Sequence, residues 1–362
     1  MHRQVRYTSG SPLRTVCCLP PWKEASQPPP PPCVRTIVTF QRDPAYLQHF
    51  QRLKVWKKNG ERAPHKPLLA LWSIGRCLQG KARLVDYDTA HQALLVLLNT
   101  FGPHRKHHTP QEPFWRMQKD KIWEIPDADR VLKELPGKAA PSPSLLRKLK
   151  VQGGFPEPLD EWLRRNRTAA LEVAEQLVAD HFPETMHFAV LKATLGEDAM
   201  HDLWTGHQPV ASSQSPILES ALRRRTRNPK FRKEILETYG YRCAVCKYSF
   251  EFPAGNWPAL EAAHIKWHSH QGPDEPKNGL SLCVLHHELF DWGVFTIHPG
   301  SLDIVVATTV LEHSRGTAMT LFQKKSLLVK PEQDRYRPAP EYLNWHARNV
   351  FKGPPLRRMP AN

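Results

Sequence analysis

Over residues 1 to 36 apolar side chains fall without period, and Pro28 to Pro32 run unbroken, so no helix or strand is predicted there. The stretch reads as a disordered Pro-rich N-terminus, or as an artefact of start-site choice. The pattern changes from Tyr46, with Leu53, Val55 and Trp56 and then a helix-like run from Pro67 through Leu68, Leu69, Leu71, Trp72, Ile74 and Leu78. Asp88 is placed to cap a helix whose apolar residues Leu94 to Leu98 stop at Gly102-Pro103, where a glycine and a proline end helices. A further helix is predicted over Ala169 to His181, with Leu171, Ala174, Leu177 and Val178 on one face. The polar run from Gln208 to Ser215 lacks any core-forming period and suits a linker. Beyond it, Pro229 is placed to start a helix that includes Ile235 and Leu236 and stops near Gly240.

With 362 residues and a 40% hydrophobic fraction, the chain is long enough for two domains with separate cores. Charge sharpens the picture: 51 Lys and Arg against 35 Asp and Glu give a formal +16, which attracts a polyanion. Cations concentrate at Arg223, Arg224, Arg225, Arg227, Lys230, Arg232 and Lys233, a run that is either a solvated tether or a phosphate-contacting segment. No apolar stretch is long enough to span a bilayer, and Met1 to Gly10 lack the apolar core of a secretory signal, so a cytoplasmic location without membrane partners is expected. The seven cysteines are an odd number, and three of them sit at metal-ligand spacing, which favours reduced thiols over a disulfide framework.

Cys243-Ala-Val-Cys246 and Cys283-Val-Leu-His286 are two pairs with the same internal spacing. Two residues between ligands let a tight turn aim both at one ion, and three thiolates with one imidazole suit tetrahedral structural Zn2+. Around these pairs lie Leu260-Glu261-Ala-Ala-His264-Ile265, Lys277-Asn278-Gly-Leu-Ser-Leu-Cys283 and Leu285-His286-His287 through Asp291. Here the chain resembles the HNH endonucleases, over about residues 228 to 350. That resemblance implies a β-hairpin and helix closed around a divalent metal, Mg2+ or Mn2+. It makes His264 the general base, Asn278 the residue that orients its imidazole and loop, and His287 a ligand of the catalytic metal. Phosphodiester hydrolysis independently asks for a base near neutral pKa and a cation to neutralise the phosphate. Many HNH enzymes carry an aspartate or histidine before the base, where this chain has Ala263. Either the ion is held by fewer protein ligands, or Glu261 or Asp291 supplies a carboxylate; an inactive DNA-binding relic is the third alternative.

Upstream, Phe101-Gly-Pro103-His104-Arg105-Lys106, Pro113-Phe114-Trp115-Arg116 and Ile122-Trp123-Glu124 join cations to aromatics. Physics alone leaves open a phosphate-contacting surface or a core with a basic rim. Together with Ala63 to Leu69, Gly153-Gly154-Phe155 and His181-Phe-Pro183-Glu, these segments resemble the DNA sulfur-binding domain of phosphorothioate-dependent (type IV, McrA-like) restriction endonucleases, over about residues 42 to 198. The resemblance implies a shallow pocket for the sulfur, at positions Pro103, His104, Arg105, Gln152, Gly153, Gly154 and Pro156. Apolar CH surface costs sulfur little desolvation and would strip oxygen of its hydrogen bonds. Gln152 and Pro156 stand where an aromatic and a small residue are expected, so selectivity or sequence context is open to differ.

The expectation is therefore an α+β protein. A disordered N-terminus (1–36) precedes a mainly helical DNA-binding domain (37–205), a linker with the basic segment (206–227), a ββα-metal nuclease domain (228–352) and a flexible tail (353–362). Its expected activity is metal-dependent cleavage of phosphorothioated double-stranded DNA, as a monomer or a homodimer. Alternatives are an HNH nuclease of other DNA specificity and a zinc-stabilised DNA-binding protein without catalysis. Trp345 and His346 are candidates to pack on the nuclease domain.

Overall fold

The computed structural model describes residues 44–55, 63–135, 140–206, 228–252, 257–309, 311, 313 and 319–354. The expected disordered N-terminus, the linker run 208–215, the arginines 223–227 and most of the tail lie outside these residues. The first domain is mainly helical: α1 (Pro44–Gln51), α2 (His65–Leu78), α3 (Tyr87–Phe101), α4 (Gln111–Arg116), α5 (Ala128–Lys133), α6 (Pro143–Lys148), α7 (Glu157–Arg165), α8 (Arg167–His181), α9 (Glu184–Leu195) and α10 (Glu197–Gly206). Two short strands, β1 (Val85–Asp86) and β2 (Gln152–Gly153), pair antiparallel with Asp86 opposite Gln152.

The helix-like run from Pro67 becomes α2, in which Leu68, Leu69, Leu71 and Ile74 are fully buried. Each such side chain contributes roughly 1.5–3 kcal/mol by leaving water. The cap of α3 differs from the expectation. Asp86, not Asp88, accepts from the Thr89 amide at 2.9 Å, because its side chain leaves an extended residue just before the helix. Asp88 lies in the first turn and pairs with Arg147 instead. Gly102 closes α3, its amide donating to Leu98 O. The helix expected over 169–181 begins two residues earlier, at Arg167.

In the second domain α11 (Pro229–Thr238) starts with proline at its first turn, and the Asn228 side chain caps it by accepting from the Lys230 amide. Strands β3 (Leu260–His264) and β4 (Gly279–Cys283) form an antiparallel hairpin in which Leu260 faces Cys283 and His264 faces Gly279. Helix α12 (Val284–Asp291) follows without a loop. The hairpin and helix are the ββα unit. A second antiparallel pair, β5 (Phe295–Ile297) and β6 (Ile304–Val306), and α13 (Pro340–Asn349) complete the domain. Gly279 is required by packing: a Cβ there would stand 2.1 Å from Ile235 Cδ1 and 3.1 Å from Phe231 Cζ on α11.

The two domains do not have wholly separate cores. One apolar cluster runs through the first domain and takes in Trp267, Trp345 and Val350 of the second, while a further cluster fills the second domain around Ile235, Leu282, Phe290 and Phe295. The Phe101 and Trp292 rings meet at 5.8 Å across the junction. The Lys352 ammonium donates to the carbonyls of Asn99 and Gly102. Apolar surface left by one domain is thus covered by the other, and only total burial was visible in the hydrophobic pattern. Among the described residues no helix is long and apolar enough to cross a membrane.

Candidate nuclease, metal and DNA-binding sites

Cys243 and Cys246 sit on the turn after α11, and Cys283 and His286 at the junction of β4 with α12. Their ligand atoms all lie within 4.8 Å of one another. Cys246 Sγ is 4.0 Å from Cys283 Sγ, and His286 Nδ1 is 3.6 Å from Cys243 Sγ and 3.1 Å from Cys283 Sγ. Tetrahedral bonds of about 2.3 Å would set sulfurs about 3.8 Å apart, so the four donors suit one zinc-sized ion. Ala244 N donates to Ser281 O, tying the knuckle to β4. Hydrogen bonds from Cys243 and Cys283 pull the Cys246 thiol down, and the same contacts from Cys246 and Cys283 push Cys243 up. Such sulfurs share protons until a cation replaces them.

His264 ends β3, where its ring stacks on Phe231 of α11 at 4.2 Å and 16°. Its Nε2 is 2.8 Å from Asp274 Oδ1. Burial pushes the Asp274 carboxyl up, but bonds from His264 and Asn228 outweigh it and hold the group below its ordinary value. Asn278 is fully buried and grips the intervening loop: its Oδ1 accepts from Lys266 N at 2.8 Å, and its Nδ2 donates to Lys266 O and Pro273 O. The side chain therefore fixes the loop from His264 to Asn278, while Asp274 bonds the imidazole. Asp274 was not singled out in the sequence. Its available signal was an acidic residue in the Gly272-Pro273-Asp274-Glu275-Pro276 turn between two motif residues.

His287, in the middle of α12, is buried between two carboxylates. Nδ1 is 2.5 Å from Glu261 Oε2 on β3, and Nε2 is 3.2 Å from Asp291 Oδ2 one helical turn on. Burial lowers the imidazole pKa, yet Asp291 and Glu261 outweigh it and raise the group to about 9. The two acids differ in kind. The Glu261 side chain is 31% exposed, whereas Asp291 is 3% exposed and already accepts from Trp267 Nε1 at 3.0 Å and from the Thr185 hydroxyl at 2.6 Å. Ala263 is fully buried and offers no donor.

The seven positions expected to line a sulfur pocket lie on two segments of the first domain, the loop after α3 and the turn that begins with β2. Pro103 and Arg105 follow the C-terminal end of α3, while Gln152 is paired with Asp86 at its N-terminal end. The chain then turns back along α3, because Phe114 meets Tyr87 at 5.2 Å and would stand 3.0 Å from a Cβ on Gly153. Pro103 is buried, Arg105 half-buried and His104 exposed. Burial, with Arg105, Lys352 and His104 nearby, lowers the pKa of His108 in the same loop. At the other end Gln152 is exposed and Pro156 half-buried, and Gly153 and Gly154 are buried. A Cβ on Gly154 would stand 2.3 Å from Arg83 O, and one on Gly153 2.9 Å from Trp123 Nε1, so these glycines serve close packing.

Two family models match the chain. Residues 44–197 match the ScoMcrA-like DNA sulfur-binding domain, and residues 243–298 match the HNH endonuclease. Similar solved structures include "Sulfur binding domain of ScoMcrA complexed with phosphorothioated DNA", 22% identical with TM-score 0.35, covering 42% of this chain and 98% of that one. "Sulfur binding domain of SprMcrA complexed with phosphorothioated DNA" is 23% identical with TM-score 0.36, covering 44% and 96%. "Structure of the Type IV phosphorothioation-dependent restriction endonuclease ScoMcrA" is 15% identical with TM-score 0.35, covering 68% and 84%. No curated protein matches.

Proposed function

We propose that this chain, in which a ScoMcrA-like DNA sulfur-binding domain precedes an HNH endonuclease domain, recognises phosphorothioated duplex DNA and hydrolyses a phosphodiester bond with His264 as general base. The observation that carries the catalytic reading is the His264–Asp274 pair at the end of the hairpin opposite the zinc-type clamp. With Nε2–H donated to Asp274, the basic lone pair is on Nδ1, the atom that takes the proton from attacking water. Asp274 stabilises the imidazolium that results, and Phe231 holds the ring plane. Asn278 keeps the loop closed around this pair.

Glu261 and His287 are the donors that fit a divalent ion, Mg2+ or Mn2+, because an oxygen and a nitrogen lie side by side and the carboxylate is partly open to solvent. When bound there, such an ion supplies charge neutralisation at the phosphate and leaving oxygen. Asp291 is better suited to orienting His287 through Nε2–H than to ligation, since it is buried and its oxygens accept three bonds. The alanine at 263 is thus compensated by Glu261, two residues back on the strand. Cys243, Cys246, Cys283 and His286 are assigned to structural zinc.

For DNA, the cationic loop at Pro103–Arg105 is the end proposed to take the sulfur-bearing phosphate, because half-buried Arg105 follows buried, apolar Pro103. A soft anion loses little hydration there.

Mutation of the base tests the catalytic assignment. With manganese present, His264→Ala should cut phosphorothioated plasmid about 10²–10⁴-fold more slowly than the unmutated chain and bind it equally well. Loss of binding with loss of cutting would instead make His264 part of the DNA contact.

A further inference from the structure

Thr185 stands in the first turn of α9, inside the stretch that matches the sulfur-binding domain, yet its hydroxyl donates to Oδ2 of Asp291 at the end of α12 in the nuclease domain, at 2.6 Å. The same oxygen lies 3.2 Å from His287 Nε2, and the other oxygen accepts from Trp267 Nε1. We infer that Thr185 is a positioning residue for the nuclease metal site, so that the DNA-reading domain completes the site of the domain that cuts. The inference rests on the reading of Glu261 and His287 as the metal donors.

A carboxylate that is almost wholly buried holds one orientation only while its lone pairs are occupied. Trp267 fixes one Asp291 oxygen from within the nuclease domain. The other is fixed by a hydroxyl that arrives only with α9 docked. Without it the carboxylate can turn about its terminal torsion, and the imidazole it orients loses its aim toward Glu261. The hydroxyl matters more than the bulk of the residue, because valine has the same shape as threonine and donates nothing.

The test is manganese binding to the full-length, zinc-loaded chain without DNA, followed by the spin-resonance signal of free Mn2+. Thr185→Val should bind manganese about tenfold more weakly than the unmutated chain, the lower end of what losing an outer partner of a metal-bound histidine costs. Thr185→Ser, which restores a donor, should recover most of that loss, and affinity for phosphorothioated duplex should be the same in all three. A purely structural role for Thr185 would leave manganese affinity unmoved. Equal manganese binding by the unmutated chain and Thr185→Val overturns the inference, as does a serine variant no better than valine. If the unmutated chain binds no manganese, the assignment of Glu261 and His287 fails first and the role of Thr185 fails with it.

Discussion

His346 shows how burial alone decides a protonation state. Its Nδ1 accepts from the Thr296 hydroxyl at 2.9 Å, Nε2 donates to Phe290 O at 3.0 Å, and the ring stacks on Phe290 at 3.7 Å. Both nitrogens are used by the neutral ring, and burial lowers the pKa from 6.5 to about 4. The unfolded chain takes up a proton near 6.5 and the folded chain does not. Stability present above pH 6.5 is therefore lost as pH falls toward 4, by about 3 kcal/mol over that window. Denaturant midpoints measured between pH 7 and 5 should fall less for His346→Gln, whose amide can serve both partners without titrating. An equal fall in both proteins would place the acid sensitivity elsewhere. The expectation that Trp345 and His346 pack on the nuclease domain is met by both: His346 stacks on Phe290, and Trp345 meets the Trp267 and His270 rings while also joining the cluster shared with the first domain.

Among the elements, the hairpin, the helix after it and the two ligand pairs were legible because each depends on local spacing. C-x2-C and C-x2-H present their donors from single turns, and the strand-to-helix step at Val284 leaves Cys283 and His286 one turn apart. The partners of these residues were harder to read. Asp274 reaches His264 only because Asn278 folds the intervening loop, and Glu261 reaches His287 only through the way β3 lies along α12. Asp86 and Asp88 precede the same apolar face, and backbone geometry rather than composition chose the cap. The knuckle also ties α11 to β4, so its metal should be structural. Cys243→Ser should lose the zinc, about one per chain by elemental analysis, and unfold the nuclease domain instead of merely slowing it. A folded variant, or an unmutated protein that holds no zinc, would remove the clamp from the account.

On the scale of the whole molecule, the +16 charge and the two aligned families describe a protein that meets DNA through one domain and cuts through the other. The contacts that join them, Thr185 with Asp291, Phe101 with Trp292 and Lys352 with Gly102, lie far apart in sequence and carry no periodic signal. That is why two separate cores were expected where one apolar cluster crosses the junction. Arg105 tests the charge contribution at this scale. Arg105→Ala should weaken binding to modified and unmodified duplex alike and reduce the salt slope by about 0.9, the value for one phosphate contact. A loss confined to the modified duplex would assign Arg105 to the sulfur itself.

The most direct measurement is competitive cleavage of two duplexes of identical sequence, differing by one sulfur in place of one non-bridging oxygen, in a single reaction with manganese at fixed salt. The ratio of their kcat/KM values reports discrimination free of differences in enzyme concentration. The account predicts preferential cutting of the sulfur-bearing duplex, with no cutting of either once EDTA is added. Equal rates on both duplexes would contradict it.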